Sequence, residues 1–463
     1  MTWIDLFLTP FYLLIIYVLA YIVKPHVSNR HTGKYFIPAL SLKLLGAVCL
    51  GLVYQFYYDG GDTFSYFNSA KQIWEAFNKS TATGIDVITA EAGNYSGNSS
   101  TYTMRMWGFR SQANLMVIKI VGILGLISFG SYTVISLLFA VLSFSGLWAM
   151  YLTFYKIRPT LHKELAIASF FVPSVFFWGS GIMKDTICIG ALGWAFFGFY
   201  HLLLATEKKI FSFVILAVSI FLIKEIKTYL ILSFLPAAIF WIVLEYNKRI
   251  KQVYIRVLVF PLILGIGLVV AYFGAVKVSE DSDRYAIDKI AERAAITSNY
   301  LERQTLARAG VGRRTGSEYS VGTLDGSFGS ILTVAPQAIV VTLYRPFLFE
   351  VRNPVMLLSA IEASWFLFLT IYIICKTGVI KFFTVAFKDP LVSFGMIFSI
   401  VFAIGVGATS GNFGTLVRYK IPLIPFYLVA LYIMLAELRK FTGRKKQVRR
   451  QRYVVHTTPT PMI

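Results

Sequence analysis

Apolar runs long enough to cross a bilayer, roughly 17 to 25 residues each, recur along nearly the whole chain and are separated by polar connections. The pattern predicts spans at about 5–23, 35–54, 132–153, 165–182, 186–205, 210–223, 229–245, 257–276, 355–375, 390–409 and 421–438. Two further apolar stretches are too short to count: Leu115 to Ser128 carries Lys119, and Ile331 to Tyr344 carries Pro336. Their lengths suit re-entrant or interfacial helices. The fold expected is therefore an all-α polytopic membrane protein. It has about eleven transmembrane helices and two large loop regions, 55–131 and 277–354. A single transmembrane domain covers 1–438, followed by a basic tail over 439–463.

Composition agrees with this pattern. Of 463 residues, 57% are hydrophobic and only 14% charged, against about 25% charged in soluble domains. The net charge of +21 would suggest nucleic acid in a soluble protein, but here the cations sit in short loops. Examples are Lys24, Arg30 and Lys34; Lys156, Arg158 and Lys163; Lys248, Arg249, Lys251 and Arg256; Lys376, Lys381 and Lys388; and the tail from Arg439 to Arg452. Excluding the two short stretches puts all of these clusters on one side, and the positive-inside bias then makes that side cytoplasmic. The N-terminus is expected outside and the C-terminus inside, in a bacterial inner membrane, with both large loop regions extracytoplasmic and no nucleic-acid partner. The run from Phe7 to Val23 lacks a basic leader and a small-residue cleavage site, so it reads as a retained span. The three cysteines, Cys49, Cys188 and Cys375, lie within apolar runs at no ligand spacing. The histidines fall beside the basic loops, so neither a metal site nor a cofactor is expected.

Four segments at expected outer span ends carry candidate chemistry. In Tyr57-Tyr58-Asp59-Gly60-Gly61-Asp62-Thr63-Phe64-Ser65-Tyr66, the glycines allow a sharp turn. Asp62 then sits near the rim as a general base, or simply caps the next helix. Asp59 is a second carboxylate there. Pro173 to Asp185 predicts a broken helix end with Lys184 and Asp185 at the boundary, as a functional pair or a local ion pair. Arg345 and Arg352, in Tyr344 to Arg352, are guanidinium forks suited to phosphate, or interfacial anchors. Upstream, Arg303, Arg308, Arg313 and Arg314 among glycines have the spacing of a mobile basic lid. In Ser410 to Pro422, Arg418 offers a cation and Asn412 a sugar partner, or the segment is a plain hairpin. Lys224, Glu225 and Lys227 read as an ion pair at another outer junction.

These segments resemble bacterial envelope polysaccharide enzymes: GT-C-type membrane glycosyltransferases, and EpsG-like or Wzy-like polysaccharide polymerases. Gly60-Gly61-Asp62-Thr63-Phe64-Ser65-Tyr66 is similar to the Gly-x-Asp-x-x-x-Tyr-like signature of the first EpsG-like loop, with Asp62 and Tyr66 as matching positions. Arg418-Tyr419-Lys420-Ile421-Pro422 resembles the final-loop Arg-Tyr-x-x-Pro-like pattern of GT-C proteins. The resemblance implies a polyprenyl-phosphate-linked saccharide as substrate and transfer at the outer face. It departs from GT-C proteins in placing the acidic loop after the second span. A transporter or flippase of such a lipid, and a noncatalytic envelope scaffold, are the competing readings.

Overall fold

A computed structural model describes residues 3–248, 251–252, 265, 319, 321–322, 328–352 and 354–439. Apart from residue 265, the expected span at 257–276 lies outside the described residues, as do the arginine-rich lid and the tail beyond 439. In chain order the helices are α1 (Trp3–Val27), α2 (Gly33–Phe56), α3 (Asp62–Lys79), α4 (Thr81–Thr89), α5 (Ser100–Thr103), α6 (Gln112–Ile127), α7 (Tyr132–Ile157), α8 (His162–Phe170) and α9 (Pro173–Trp178). They continue as α10 (Lys184–Phe199), α11 (Lys209–Lys227), α12 (Tyr229–Lys248), α13 (Phe328–Tyr344), α14 (Pro354–Thr377), α15 (Val379–Lys388), α16 (Pro390–Ser410), α17 (Phe413–Tyr419) and α18 (Ile424–Arg439). No strand occurs among the described residues.

Seven helices are long and apolar enough to cross a membrane: α1, α2, α7, α10 with its following turn, α12, α14 and α16. The chain is thus a multi-pass integral membrane protein. The other four expected spans have separate outcomes. Residues 421–438 fall in α18, which is bent 70° from α17 and makes an eighth span if the pair is counted as one. Residues 165–182 are divided between α8 and α9, because Pro173 opens a new helix after the break at Phe171 and Val172. In α11 the uninterrupted apolar stretch is only 210–223, with Lys209 before it and Lys224, Glu225 and Lys227 after it. The fourth, 257–276, is undescribed. The two stretches excluded from the count form the short helices α6 and α13.

Long-range contacts sort the helix ends into two layers. At one end Tyr35 Oη lies 2.9 Å from His162 Nδ1, Lys156 pairs with Glu207, and Arg158 pairs with Asp389. At the opposite end Asp5 accepts from Ser131 Oγ at 2.5 Å, Gln112 Nε2 donates to Glu225 at 2.5 Å, and the N–H of Tyr319 donates to Gly411 O at 3.1 Å. The cations Lys24, Lys156, Arg158, Lys208, Lys248 and Lys376 therefore share one end, as the loop pattern predicts. Close approach of α7 to α10 depends on small residues: a Cβ on Gly146 would lie 1.9 Å from Gly190 O, and one on Gly193 2.2 Å from Gly146 O. In lipid, where apolar side chains gain little by leaving one apolar solvent for another, such backbone contact is a main source of helix association.

Candidate functional site

At the end of the bundle opposite the basic loops, α2 gives way to α3 through a turn the sequence makes possible. Asp59, Gly60 and Gly61 have φ of 52°, 122° and 111°, and the Gly60 N–H donates to Tyr54 O at 2.9 Å. A side chain on Gly61 would also meet the Tyr54 ring at 3.0 Å. Two glycines in succession remove both the dihedral and the contact penalty. The chain then enters α3 at Asp62, with Gly61 as N-cap and no side-chain cap hydrogen bond.

Released from capping, the Asp62 carboxylate accepts from Arg418 Nη1 at 2.9 Å. Arg418 also donates through Nε to Asp185 Oδ2 at 2.6 Å. The second oxygen of Asp185 accepts from Lys227 Nζ. Four helix ends, from positions 62, 185, 227 and 418, thus form one chain of alternating charges. Asp185 stands in the first turn of α10 and Lys227 in the last turn of α11, where the helix dipole favours those signs. The Lys227 ammonium also lies 4.5 Å from the Tyr419 ring centroid, adding a cation–π contact.

Burial along the chain is graded. The Asp185 side chain is fully buried, Lys227 is 6% and Arg418 14% exposed, and Asp62 is 39% exposed. Two anions and two cations cancel within the array, which permits it to be buried at all. The outer carboxylate is the one that reaches solvent. Lys184, at the head of α10, lies within electrostatic range of Lys227, Asp62, Arg418 and Asp185. Tyr66 lies beneath: it is 2% exposed, its hydroxyl donates to Asn114 Oδ1 at 3.3 Å, and burial, then the charge of Asp62, raises its phenol well above its usual value. It holds α3 against α6.

The support for this layer is itself charged. The short helix α9 has its N-terminus bound by Glu362 of α14, which accepts from the N–H and the hydroxyl of Ser174, each at 2.6 Å. At its other end Lys43 of α2 donates to Gly179 O at 2.5 Å, Val175 O at 3.2 Å and Ser143 Oγ at 3.1 Å. An anion at the N-terminus and a cation at the C-terminus satisfy backbone groups that a broken helix leaves unpaired inside the bundle. The Gly179-Ser180-Gly181 stretch that leads into Lys184 and Asp185 is held by this arrangement.

The other residues singled out in the sequence stand apart from the array. Arg345 is filled by an internal partner: Nε lies 3.1 Å from both Glu350 oxygens, a further nitrogen of the fork pairs with Glu350, and the guanidinium stacks 5.0 Å from the Phe413 ring. A phosphate there would have to displace Glu350. Arg352 and Asp59 are exposed. Asn412 caps α17 by accepting from the Gly414 N–H at 2.7 Å, so its effect on the site runs through the placement of Arg418. In the Lys224–Glu225–Lys227 group, two residues reach beyond their own helix. Glu225 turns to Gln112 and Lys227 to Asp185. Lys227 was legible as a lysine closing an apolar helix, and Lys43 as an ionisable residue inside an expected span, a placement that calls for a buried partner.

Compared with family models, curated proteins and solved structures, the chain matches none. Among the described residues no group of three or more His, Cys, Asp or Glu is placed to hold a metal ion. The array provides a solvent-facing carboxylate held by a buried guanidinium, with a lysine beside it: a group to accept a proton and groups to receive negative charge.

Proposed function

We propose that the protein is a membrane glycosyltransferase or polysaccharide polymerase acting on a polyprenyl-phosphate-linked saccharide at the extracytoplasmic face of a bacterial inner membrane. The observation that carries this reading is the graded array, in which Asp62 is the exposed terminus of the otherwise buried series Arg418, Asp185 and Lys227. In this reading Asp62 takes the proton of an acceptor sugar hydroxyl. The hydroxyl oxygen forms the new bond to the anomeric carbon. The bond from that carbon to the lipid pyrophosphate oxygen breaks, and the leaving group keeps the electron pair. Arg418 and Lys184 offset its charge, while Asp185 and Lys227 fix the angle at which Arg418 presents its fork.

One observation favours a transporter or flippase of the same lipid instead. Lys43 and Glu362 are buried well inside α2 and α14, and transporters concentrate ionisable groups at membrane depth. Both groups are bound to the ends of α9, which gives them a structural task and leaves the array at the mouth as the better candidate. Purified Asp62→Asn protein separates the two. A base cannot be replaced by an amide, so product formation from a polyprenyl-linked substrate should fall by about 10² to 10⁴ while substrate binding persists. Product formation within about twofold of wild type would reject Asp62 as base.

A further inference from the structure

At the basic end, away from the array, α7, α12, α14, α15, α16 and α18 enclose a cavity of about 420 Å³. Among the described residues five cations line it, Arg158, Lys248, Lys376, Lys381 and Lys388, against two carboxylates, Asp389 and Glu437; Lys248 also lies 4.0 Å from Glu245. Asp389 is committed twice over. It pairs with Arg158 and caps α16 by accepting from the N–H groups of Leu391 at 3.0 Å and Val392 at 3.2 Å. The described lining therefore carries three more positive than negative charges (five minus two).

The helix that closes this cavity has three faces. On α15, Phe382 and Ala386 are buried against the bundle. Lys381, Val385 and Lys388 face the cavity. Ile380, Phe383 and Phe387 are 86%, 52% and 51% exposed. Phe368 and Tyr372 of the neighbouring α14 are also exposed, and the Phe387 ring lies 6.1 Å from that of Phe240 on α12. A cationic recess rimmed by outward apolar side chains on a short amphipathic helix matches a ligand with a phosphate at one end and acyl chains at the other. A free phosphate would use the cations and leave the rim without a partner.

We infer that the cavity between α15 and the ends of α7, α12 and α14 is a binding site for the phosphodiester headgroup of an anionic phospholipid. Its acyl chains lie along the apolar face of α15 and α14. The site is separate from the proposed reaction centre and does not depend on it.

The test uses full-length protein, delipidated in mild detergent, with lipid binding followed by native mass spectrometry. Phosphatidylglycerol is expected to bind at least tenfold more tightly than phosphatidylcholine. Replacing Lys376 and Lys388 by Gln together should weaken phosphatidylglycerol about 25-fold, at about fivefold for each lysine. The charge-matched pair Lys71→Gln and Lys79→Gln, on α3 at the opposite end, should leave it unchanged and controls for net charge. Equal binding of the two lipids, undiminished binding by the Lys376/Lys388 variant, or an equal loss in the α3 variant would each overturn the inference. Displacement of phosphatidylglycerol by inorganic phosphate at similar concentration would also overturn it, by showing that a soluble anion is the ligand.

Discussion

Replacing Asp185 with Asn leaves the side chain nearly the same shape but removes the charge between two buried cations. Asp185 is fully buried and bonded to both Lys227 and Arg418. After the change, Arg418 keeps only the half-exposed Asp62, and Lys227 loses its ionic partner in the array. Breaking a buried ion pair on one side costs about 3–5 kcal/mol, because the remaining charge is left without compensation. Lys227→Met should be similar in size, since it isolates part of the Asp185 charge from the other direction. The double variant retains Asp62 with Arg418 and is again neutral. Its cost should fall short of the sum of the single costs by about 0.5–3 kcal/mol, the range found for directly coupled partners. Unfolding of the purified protein in mixed micelles, monitored by helical circular dichroism against denaturant, measures all four corners of the cycle. Additivity within about 0.5 kcal/mol would refute the coupling and with it the buried array.

The turn into α3 makes a second, smaller prediction: Gly60→Ala adds a side chain in open space at φ 122°, whereas Gly61→Ala adds one at φ 111° against Tyr54. The first should cost about 1–2 kcal/mol of strain alone and the second more, with Asp62 displaced and activity lost before folding. Equal effects of the two on activity would show that the Tyr54 contact does not set the turn. For sidedness, a cysteine replacing the exposed Asn98 in the first large loop should react with an impermeant thiol reagent in intact cells, and one replacing the exposed Lys163 at the basic end should not. The reverse labelling pattern would invert the proposed orientation.

What the sequence reveals depends on whether a feature is local. The Gly60-Gly61 turn, the break at Pro173 and the shortness of α6 and α13 follow from neighbouring residues, and the structure has all of them. Asp62, Asp185 and Arg418 were each recognisable as charges at helix ends on the non-basic side. Their contact was not, because Arg418 joins Asp62 and Asp185 across 356 and 233 residues of chain. Lys227 shows the limit most clearly. Grouped with Lys224 and Glu225 it reads as part of a local ion pair, yet residues two apart on a helix do not share a face, and Lys227 and Glu225 turn to different partners, Asp185 and Gln112. Glu350 likewise lies between Arg345 and Arg352 in sequence, and the fold of the loop brings it onto Arg345. Among the described residues seven helices, or eight with the bent pair, meet the length and hydropathy of a span, and the difference from the expected spans lies where hydropathy alone was read. A broken helix such as α8 and α9 and a charge-ended helix such as α11 look apolar in a window, but neither offers an uninterrupted apolar cylinder of bilayer length.

The grading of burial bears on how the site is built. A carboxylate that must exchange protons needs access to solvent, while the guanidinium that positions it needs to be held still. Both requirements conflict if each group has a single partner. Here Arg418 is anchored from behind by the fully buried Asp185, whose own charge is balanced by Lys227, and this leaves Asp62 at the wet end. The rear pair supplies rigidity without competing for the front carboxylate. The same logic recurs one layer below, where Glu362 and Lys43 hold the two ends of α9 and so fix the stretch that carries Lys184 and Asp185. Desolvating these charges is costly, and a protein that needed only a stable bundle would do as well with apolar side chains. The order from buried Asp185 to exposed Asp62 at one mouth is what the proposed reaction centre would require.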